Sequence, residues 1–453
     1  MKPIKYKCFD VEEPELYRSI YPYESFPVAR IEGADSFFSD IWVSDTTLRD
    51  GQQAMRAFSA LQSVQIYQFL HDIDNGEGAI RQSEFFVYSE NDRNALLKCL
   101  ELGYEFPEVT TWIRASKDDF KLIKSLGVTE TGMLMSCSDY HIFKKFNSTR
   151  SETMQNFLDV AELCLKEGIK PRCHLEDITR ADMNGFVIPL VKNLKDLCES
   201  YGVDVKIRAC DTLGVGLPFE QAELPRSVPK IARMLREEGG LTNKQLEWHG
   251  HNDFHLGVAN SFAAWSNGMS SVSSTLLGIG ERCGNTSLEG MLAIYCQLKN
   301  ENNLKLEILN DVADYFASEL GFYVHEKYPI MGADFNTTKA GIHADGLLKD
   351  PEIYNSFDTK KLLNRPIVIM INQSSGSSGI AGWINNYYKL QGENVISKRD
   401  PKIQLIKEWV DEQYANGRTD IITNEELKSL AEEYFPSFAA KEPQTKKMAH
   451  TEL

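Results

Sequence analysis

Ile41-Trp42-Val43-Ser44-Asp45-Thr46-Thr47-Leu48-Arg49-Asp50-Gly51 opens the patterned part of the chain: an apolar, strand-like run, then a polar turn, with no glycine-rich loop between them. That absence decides between two folds. A doubly wound open sheet carries a Gly-rich phosphate loop in its first strand-to-helix turn, and a closed (β/α)8 barrel needs none. Seven further strand-like runs follow, at 83–87, 108–113, 131–135, 172–175, 205–209, 246–249 and 273–277, each leading into a helical pattern. Met154, Phe157, Leu158, Ala161 and Leu165 fall on one face at a 3.6-residue period. Gly103, Gly127 and Gly168 stand where helices should be capped. Eight units in roughly 260 residues match a TIM barrel in number and size. The expected architecture is α/β, a (β/α)8 barrel followed by a smaller, mostly helical appendage.

Barrel chemistry sits where strands end. The polar residues at those ends are Asp45 to Asp50, Thr110, Thr111 and Arg114, Cys137, His174 and Glu176, Asp211 and Thr212, His249 to Asp253, and Gly278 to Asn285. They lie far apart in the chain and should converge on one mouth.

The remainder of the 453 residues divides, by pattern, into an extension (1–39), the barrel (40–305), a linker subdomain (306–365) and a helical subdomain (366–453). Helices are expected at 310–320, 402–414 and 424–434, the last starting at a capping box of Thr423 and Glu426. An irregular stretch (328–344), a strand-like run (367–371) and a Ser/Gly cluster (374–379) lie between them, and the tail from 441 reads as polar and frayed. With 42% hydrophobic and 25% charged residues the composition is that of a folded globular protein. A net charge of -16 disfavours nucleic acid and anionic membranes, so a small anionic ligand needs a local cation. The first 18 residues lack the apolar run of a signal peptide, and the nine cysteines are scattered without CxxC spacing. A reducing cytoplasm is the expected compartment.

His249-Gly250-His251 places two imidazoles on one side of a strand, about 6.6 Å apart along it, near enough to share an ion. A lone HxH is weak evidence, because histidines often serve as ordinary hydrogen-bonding groups; the end of the seventh strand strengthens it. Asp50 offers a third ligand, although an aspartate in a loop often does no more than cap a helix. Arg49 beside it suits an anion bridging metal and guanidinium. Gly278-Ile279-Gly280-Glu281-Arg282-Cys283-Gly284-Asn285 ends on Asn285, a neutral oxygen within reach of the same ion. This N/O set suits a divalent ion such as Mn²⁺, Mg²⁺ or Zn²⁺.

In this order, DTTLRDGQQ (45–53), HGHND (249–253) and GIGERCGN (278–285) resemble the signature blocks of the metal-dependent Claisen-condensing acyltransferases. That family includes 2-isopropylmalate, homocitrate, citramalate and Re-face citrate synthases, and its barrel also serves lyases and carboxyl transferases. The segment AGIHADG (340–346), with Tyr354 downstream, resembles the catalytic His and Tyr segment of the synthases, which the lyases are not expected to carry. INQSSG (371–376) resembles their subdomain turn; its other reading is a flexible linker. Over roughly 40–383 the resemblance implies Asp50, His249 and His251 as metal ligands, with Asn285 close to the metal. It implies Arg49 at the substrate carbonyl or carboxylate, Thr212 on the carboxylate, Glu176 as a catalytic glutamate, and His343 and Tyr354 in proton removal from acetyl-CoA. Mn²⁺ is the first expectation, with Mg²⁺, Co²⁺ or Zn²⁺ as alternatives. A homodimer is implied, each appendage reaching over the neighbouring barrel.

For the oxo acid, Arg172 on the fifth strand matches an arginine that grips the distal carboxylate of dicarboxylic substrates. His174 stands where a small serine is usual, which should shorten the pocket and add a cationic neighbour to Arg172. Ser116 replaces a pocket histidine, or is only a helix N-cap with Asp119 three residues on. EVTTWIRAS (108–116) and CHLEDITRAD (173–182) are most similar to the Re-face citrate synthases. The expected reaction is condensation of acetyl-CoA with oxaloacetate to citrate and CoA. Homocitrate synthesis from 2-oxoglutarate is the next reading, then isopropylmalate or citramalate synthesis, then a carbon–carbon lyase; a non-catalytic sensor barrel is the least expected. Cys173, Cys210 and Cys283 should lie near the mouth as oxidisable thiols.

Overall fold

The structure, a computed structural model, describes residues 6, 8–299 and 302–438; the expected frayed tail from 441 lies outside them. Eight parallel strands close into a barrel: β1 (Trp42–Asp45), β2 (Ile80–Phe85), β3 (Glu108–Arg114), β4 (Glu130–Ser136), β5 (Lys170–Glu176), β6 (Lys206–Asp211), β7 (Leu246–Gly250) and β8 (Ser271–Ser274), with β8 pairing back to β1. Helices α1 (Ala60–Asp74), α2 (Glu90–Glu101), α3 (Lys117–Ile123), α4 (Arg150–Lys166), α5 (Ile188–Ser200), α6 (Val228–Glu237), α7 (Gly257–Ser266) and α8 (Leu288–Leu298) follow the strands in turn. The (β/α)8 expectation holds.

Local signals explain the helices. A reciprocal Thr149–Glu152 capping box starts α4, which buries Phe157, Val160, Ala161 and Cys164, and Gly168 follows it at φ 75°. Two strands were misplaced by the apolar pattern. β2 begins at Ile80 and not at 83, and β8 covers Ser271–Ser274 and not 273–277. Both misplacements have one cause: the barrel lumen is polar, so inward positions such as Gln82, Glu84, Ser271 and Ser273 carry no apolar signal.

β5 shows the alternation. Arg172, His174 and Glu176 face the lumen, while Cys173 and Leu175, both fully buried, face the helices. Deep in the lumen, Glu84 of β2 receives Arg172 (2.7 Å) and, across the barrel, Arg208 of β6 (3.1 Å). Arg208 also grips Glu247 with two bonds of 2.8 and 3.1 Å, and Lys206 pairs with Glu130 at 2.5 Å. Such buried charges are tolerated only in mutual compensation, and losing one partner of a buried pair typically costs about 3–5 kcal/mol.

The chain forms two compact units: Val28–Val324 with Pro329–Met331, and Met1–Pro27 with His325–Tyr328 and Gly332–Leu453. The barrel unit also holds α9 (Leu309–Ser318). The second unit contains a small parallel pair, β9 (Thr337–Thr338) and β10 (Val368–Ile369), and helices α10 (Gly341–Lys349), α11 (Thr359–Leu363), α12 (Ser377–Tyr387), α13 (Pro401–Ala415) and α14 (Asn424–Tyr434). Its core gathers Ile371, Ile380, Trp383, Ile384, Ile406, Val410 and Leu427. The Ser/Gly cluster is ordered: Ser375 Oγ donates to Lys339 O at 2.5 Å, and α12 begins at Ser377. The Thr423–Glu426 capping box starts α14 as expected. Among the described residues no helix is long and apolar enough to cross a membrane.

Candidate active site

The turn after β1 aims two key side chains. Residues Thr47–Gly51 form one π-helical turn in which the amides of Arg49, Asp50 and Gly51 all donate to Thr46 O, a geometry enriched at functional sites. Asp45 anchors it, accepting from Thr47 N (3.0 Å) and Ser83 Oγ (2.7 Å). Burial pushes the Asp45 carboxyl up to about 6. Thr47 Oγ1 accepts from Leu276 N at 2.9 Å, which ties this turn to the segment after β8.

Asp50, His249 and His251 meet at the mouth. Their ligand atoms lie within 4.8 Å of one another, all three residues are buried, and together they could hold a metal ion. Asp50 Oδ2 is 3.2 Å from His249 Nε2 and 3.9 Å from His251 Nε2, and the two Nε2 atoms are 3.3 Å apart. His249 is oriented by Ser273 Oγ, 3.2 Å from its Nδ1. Burial, then neighbouring His249, lowers His251 to about 4, so its imidazole is neutral at pH 7, as a ligand must be. Burial would raise the Asp50 carboxyl, but Arg49 and then His249 outweigh it and hold it well below the usual carboxylate range.

Asn285 joins them through a bridge between its backbone and that of His251. Its Nδ2 donates to Ile279 O at 3.0 Å, and a Cβ on Gly280 would stand 2.1 Å from that nitrogen. Asn285 Oδ1 and Asp50 Oδ2 are both buried without a hydrogen bond. Two converging imidazoles, one carboxylate and one amide oxygen left unsatisfied together are costly unless a cation completes them. The donor set therefore fits a divalent ion.

The cluster borders a cavity of about 160 Å³ that Arg49, Glu176, Thr212 and His174 also line. Arg49 Nε donates to Glu84 at 2.9 Å, and its NH1 is 3.4 Å from Asp50. Glu84 has no solvent exposure. Burial opposes its charge, but Arg208 and then Arg49 keep it ionised, well below the ordinary range. Sequence reasoning missed Glu84; its signal was a charged residue inside β2 whose neighbours on either side are strand-like. The Glu176 carboxylate is held at one oxygen: Oε2 accepts from Ser136 Oγ and lies 3.3 Å from His141 Nδ1 and 3.5 Å from Lys145 Nζ. Thr212 Oγ1 accepts from Asp177 N at 2.8 Å, leaving its own proton to donate.

Several expected residues stand elsewhere or act differently. Arg172 does not line the mouth. It is the third residue of β5, about 13 Å below Glu176 at the usual strand rise, 1% exposed and engaged by Gln82, Glu84 and Thr110. His174 does line the cavity but is not cationic. Burial, reinforced by Arg208, drives its pKa well down, and its ring packs where a Cβ on Gly132 would stand, 2.6 Å from His174 Cε1. Ser116 is the N-cap of α3, accepting from Asp119 N at 3.1 Å, and does not line the cavity. Of the three thiols only Cys210 lines it; Cys173 faces the helices and Cys283 is exposed.

His343 and Tyr354 lie in the second unit, on α10 and just after the short turn Pro351–Ile353. Both are exposed, with ring centroids 4.6 Å apart, and Tyr354 needs Gly346, where a Cβ would stand 2.4 Å from its ring.

Comparison with known proteins gives three findings. A family model described as HMGL-like matches residues 40–315. A citrate (Re)-synthase of Clostridium kluyveri is 50% identical over 96% of this chain and 97% of its own, and one of Syntrophus aciditrophicus is 44% identical over 95% and 69%. The HMG-CoA lyase structure from Acinetobacter baumannii superposes with a TM-score of 0.51 at 16% identity, covering 64% of this chain and 93% of that one, a likeness of fold.

Proposed function

The chain belongs to the HMGL-like family, and on that premise we propose that it condenses acetyl-CoA with oxaloacetate and hydrolyses the thioester, giving citrate and CoA. It is an enzyme of the acyl-condensing synthase class, and citrate (Re)-synthase activity is the function its relatives support. The observation that carries the chemistry is the convergence of Asp50, His249 and His251 on one point at the barrel mouth. With Asn285 these residues would hold a divalent ion, Mn²⁺ first and Mg²⁺, Co²⁺ or Zn²⁺ as alternatives. Such an ion supplies Lewis-acid polarisation of a carbonyl oxygen.

The chain's own groups do the rest. Arg49, fixed by Glu84, presents its guanidinium to the substrate carboxylate and to the oxygen on which charge develops. Thr212 donates its free proton to the same carboxylate. Glu176, held at Oε2, keeps Oε1 for proton transfer. His343, with Tyr354 against it, removes the acetyl methyl proton, and by the family resemblance we assign this pair to the barrel mouth of a neighbouring copy in a homodimer. His174 acts as a neutral wall that limits the length of the oxo acid. The cytoplasm is the compartment we propose.

The test is thiol release from acetyl-CoA across oxaloacetate, 2-oxoglutarate, 2-oxoisovalerate and pyruvate. Oxaloacetate is expected to give the highest kcat/KM. Preference for 2-oxoglutarate would make the enzyme a homocitrate synthase, and preference for 2-oxoisovalerate would overturn the dicarboxylate reading.

A further inference from the structure

Oxaloacetate has a second, distal carboxylate; Arg172 is engaged in the floor, His174 is held neutral, and of the cations that line the cavity among the described residues Arg49 is bonded to Glu84 and Arg282 to Asp253 and Thr212 O. Among the described residues that line the cavity, three side-chain nitrogens lack a hydrogen-bond partner, His174 Nε2, His251 Nδ1 and the Trp112 indole Nε1, and of these the indole can only donate. Trp112 of β3 lines the cavity, is 8% exposed, and its Nε1–H has no acceptor. Its lumen-side neighbours on β3 are already engaged: Thr110 with Arg172 and Ser83 O, Arg114 with Asp119. Phe86 and Tyr88 pack edge-on against the indole, with centroids 5.7 and 6.3 Å away, and fix its plane. The Arg49 guanidinium lies 5.3 Å from the ring centroid; a cation over the ring draws on its electrons and makes the N–H a stronger donor.

Unpaired indole N–H groups also occur on Trp248 and Trp265, so the lack of an acceptor is not sufficient alone. Those two are fully buried and neither lines the cavity. Trp112 differs in its place: it stands beside the metal-ligating cluster, at the wall a substrate must touch.

We infer that Trp112 Nε1–H donates to the distal carboxylate of a dicarboxylic 2-oxo acid, which makes Trp112 the residue that separates oxaloacetate from monocarboxylic 2-oxo acids. This inference rests on the 2-oxo acid reading above. A neutral donor is suited to this position. It binds the carboxylate without bringing another charge into a lumen whose arginines and glutamates already compensate one another, and it leaves the Arg49 charge shared between both ends of a small dianion.

Trp112→Phe keeps an aromatic ring and removes only the donor. The ratio of kcat/KM for oxaloacetate to that for pyruvate is expected to fall roughly 10- to 150-fold, the scale of one buried hydrogen bond to a charged group, with the loss mainly in KM for oxaloacetate. A ratio unchanged within about twofold overturns the inference. A second readout needs no turnover: in the 15N-labelled protein, the indole N–H resonance missing from the Phe variant should move on adding oxaloacetate alone and stay in place with pyruvate. A resonance indifferent to oxaloacetate also overturns it. Should the wild type turn over 2-oxoglutarate in place of oxaloacetate, with the variant losing that selectivity over pyruvate, the oxaloacetate reading fails and Trp112 stands. Should no dicarboxylate be used, both fall.

Discussion

One strand, β5, carries Arg172 in the barrel floor and Glu176 in the mouth four residues later, and the two ends obey opposite rules. At the floor the charges are matched: Arg172 and Arg208 against Glu84 and Glu247, Lys206 against Glu130. At the mouth partners are missing: Asp50 Oδ2, Asn285 Oδ1 and Trp112 Nε1 are buried without a hydrogen bond. Both regions are buried and strongly charged, so neither property marks function. The difference is charge compensation: each floor charge has an ion-pair partner, even where Arg172 Nε makes no hydrogen bond and lies 3.8 Å from Glu247. Buried groups that compensate one another hold the barrel together, whereas buried groups aimed at a point without completing each other are a site in want of a ligand.

The comparison is broken most directly at the metal. Chelation should abolish thiol release, and Mn²⁺ should restore it. His251→Ala should lose the ion with the fold kept, lowering kcat by about 10³-fold or more, since an ion of this kind contributes several kcal/mol of charge stabilisation. Full activity in excess chelator after exhaustive dialysis would remove the metal from the reading. Next in size is His343→Ala. Metal content and oxo acid binding should persist while kcat falls roughly 10²–10⁴-fold; an unchanged kcat would strip His343 of its role.

At the floor the expected cost is stability and not specificity. Arg172→Met should lower unfolding free energy by about 3–5 kcal/mol, read from the denaturant midpoint, because it leaves Glu84 and Glu130 undercompensated. The oxaloacetate to 2-oxoglutarate preference of the folded variant should hold. A tenfold change in that preference would put Arg172 back in the substrate pocket and erase the floor–mouth distinction. The smallest effect belongs to His174→Ser, which opens space above Gly132. One methylene in a pocket is typically worth about 1–3 kcal/mol, so 2-oxoglutarate should gain on oxaloacetate without displacing it. No gain in kcat/KM for 2-oxoglutarate would show that His174 does not set the length.

Arg172 shows where reading by strand position fails. It lies on a strand that serves the mouth, and linear spacing does not report depth; for Ser116 the sequence left two readings open, and the helix N-cap is the one found. A residue four positions before a mouth glutamate lies about 13 Å below it, and only its bond to Glu84, which Arg208 also reaches across the barrel, reveals that depth. Glu84 was missed for a related reason: its partners Arg49, Arg172 and Arg208 come from the turn after β1, from β5 and from β6, and meet only when the barrel closes.

The sequence by itself determined the barrel, its helices and the trio that could hold a metal ion, because these depend on local signals: a repeating strand–helix alternation, capping boxes and end glycines, and ligand types at strand ends. Tertiary structure alone decided which charges are satisfied. It placed Arg172 in the floor, made His174 neutral through burial beside Arg208, and left Trp112 with an unused donor at the cavity wall. The physical reason is that desolvation and charge compensation are properties of a closed space, set by residues distant in the chain.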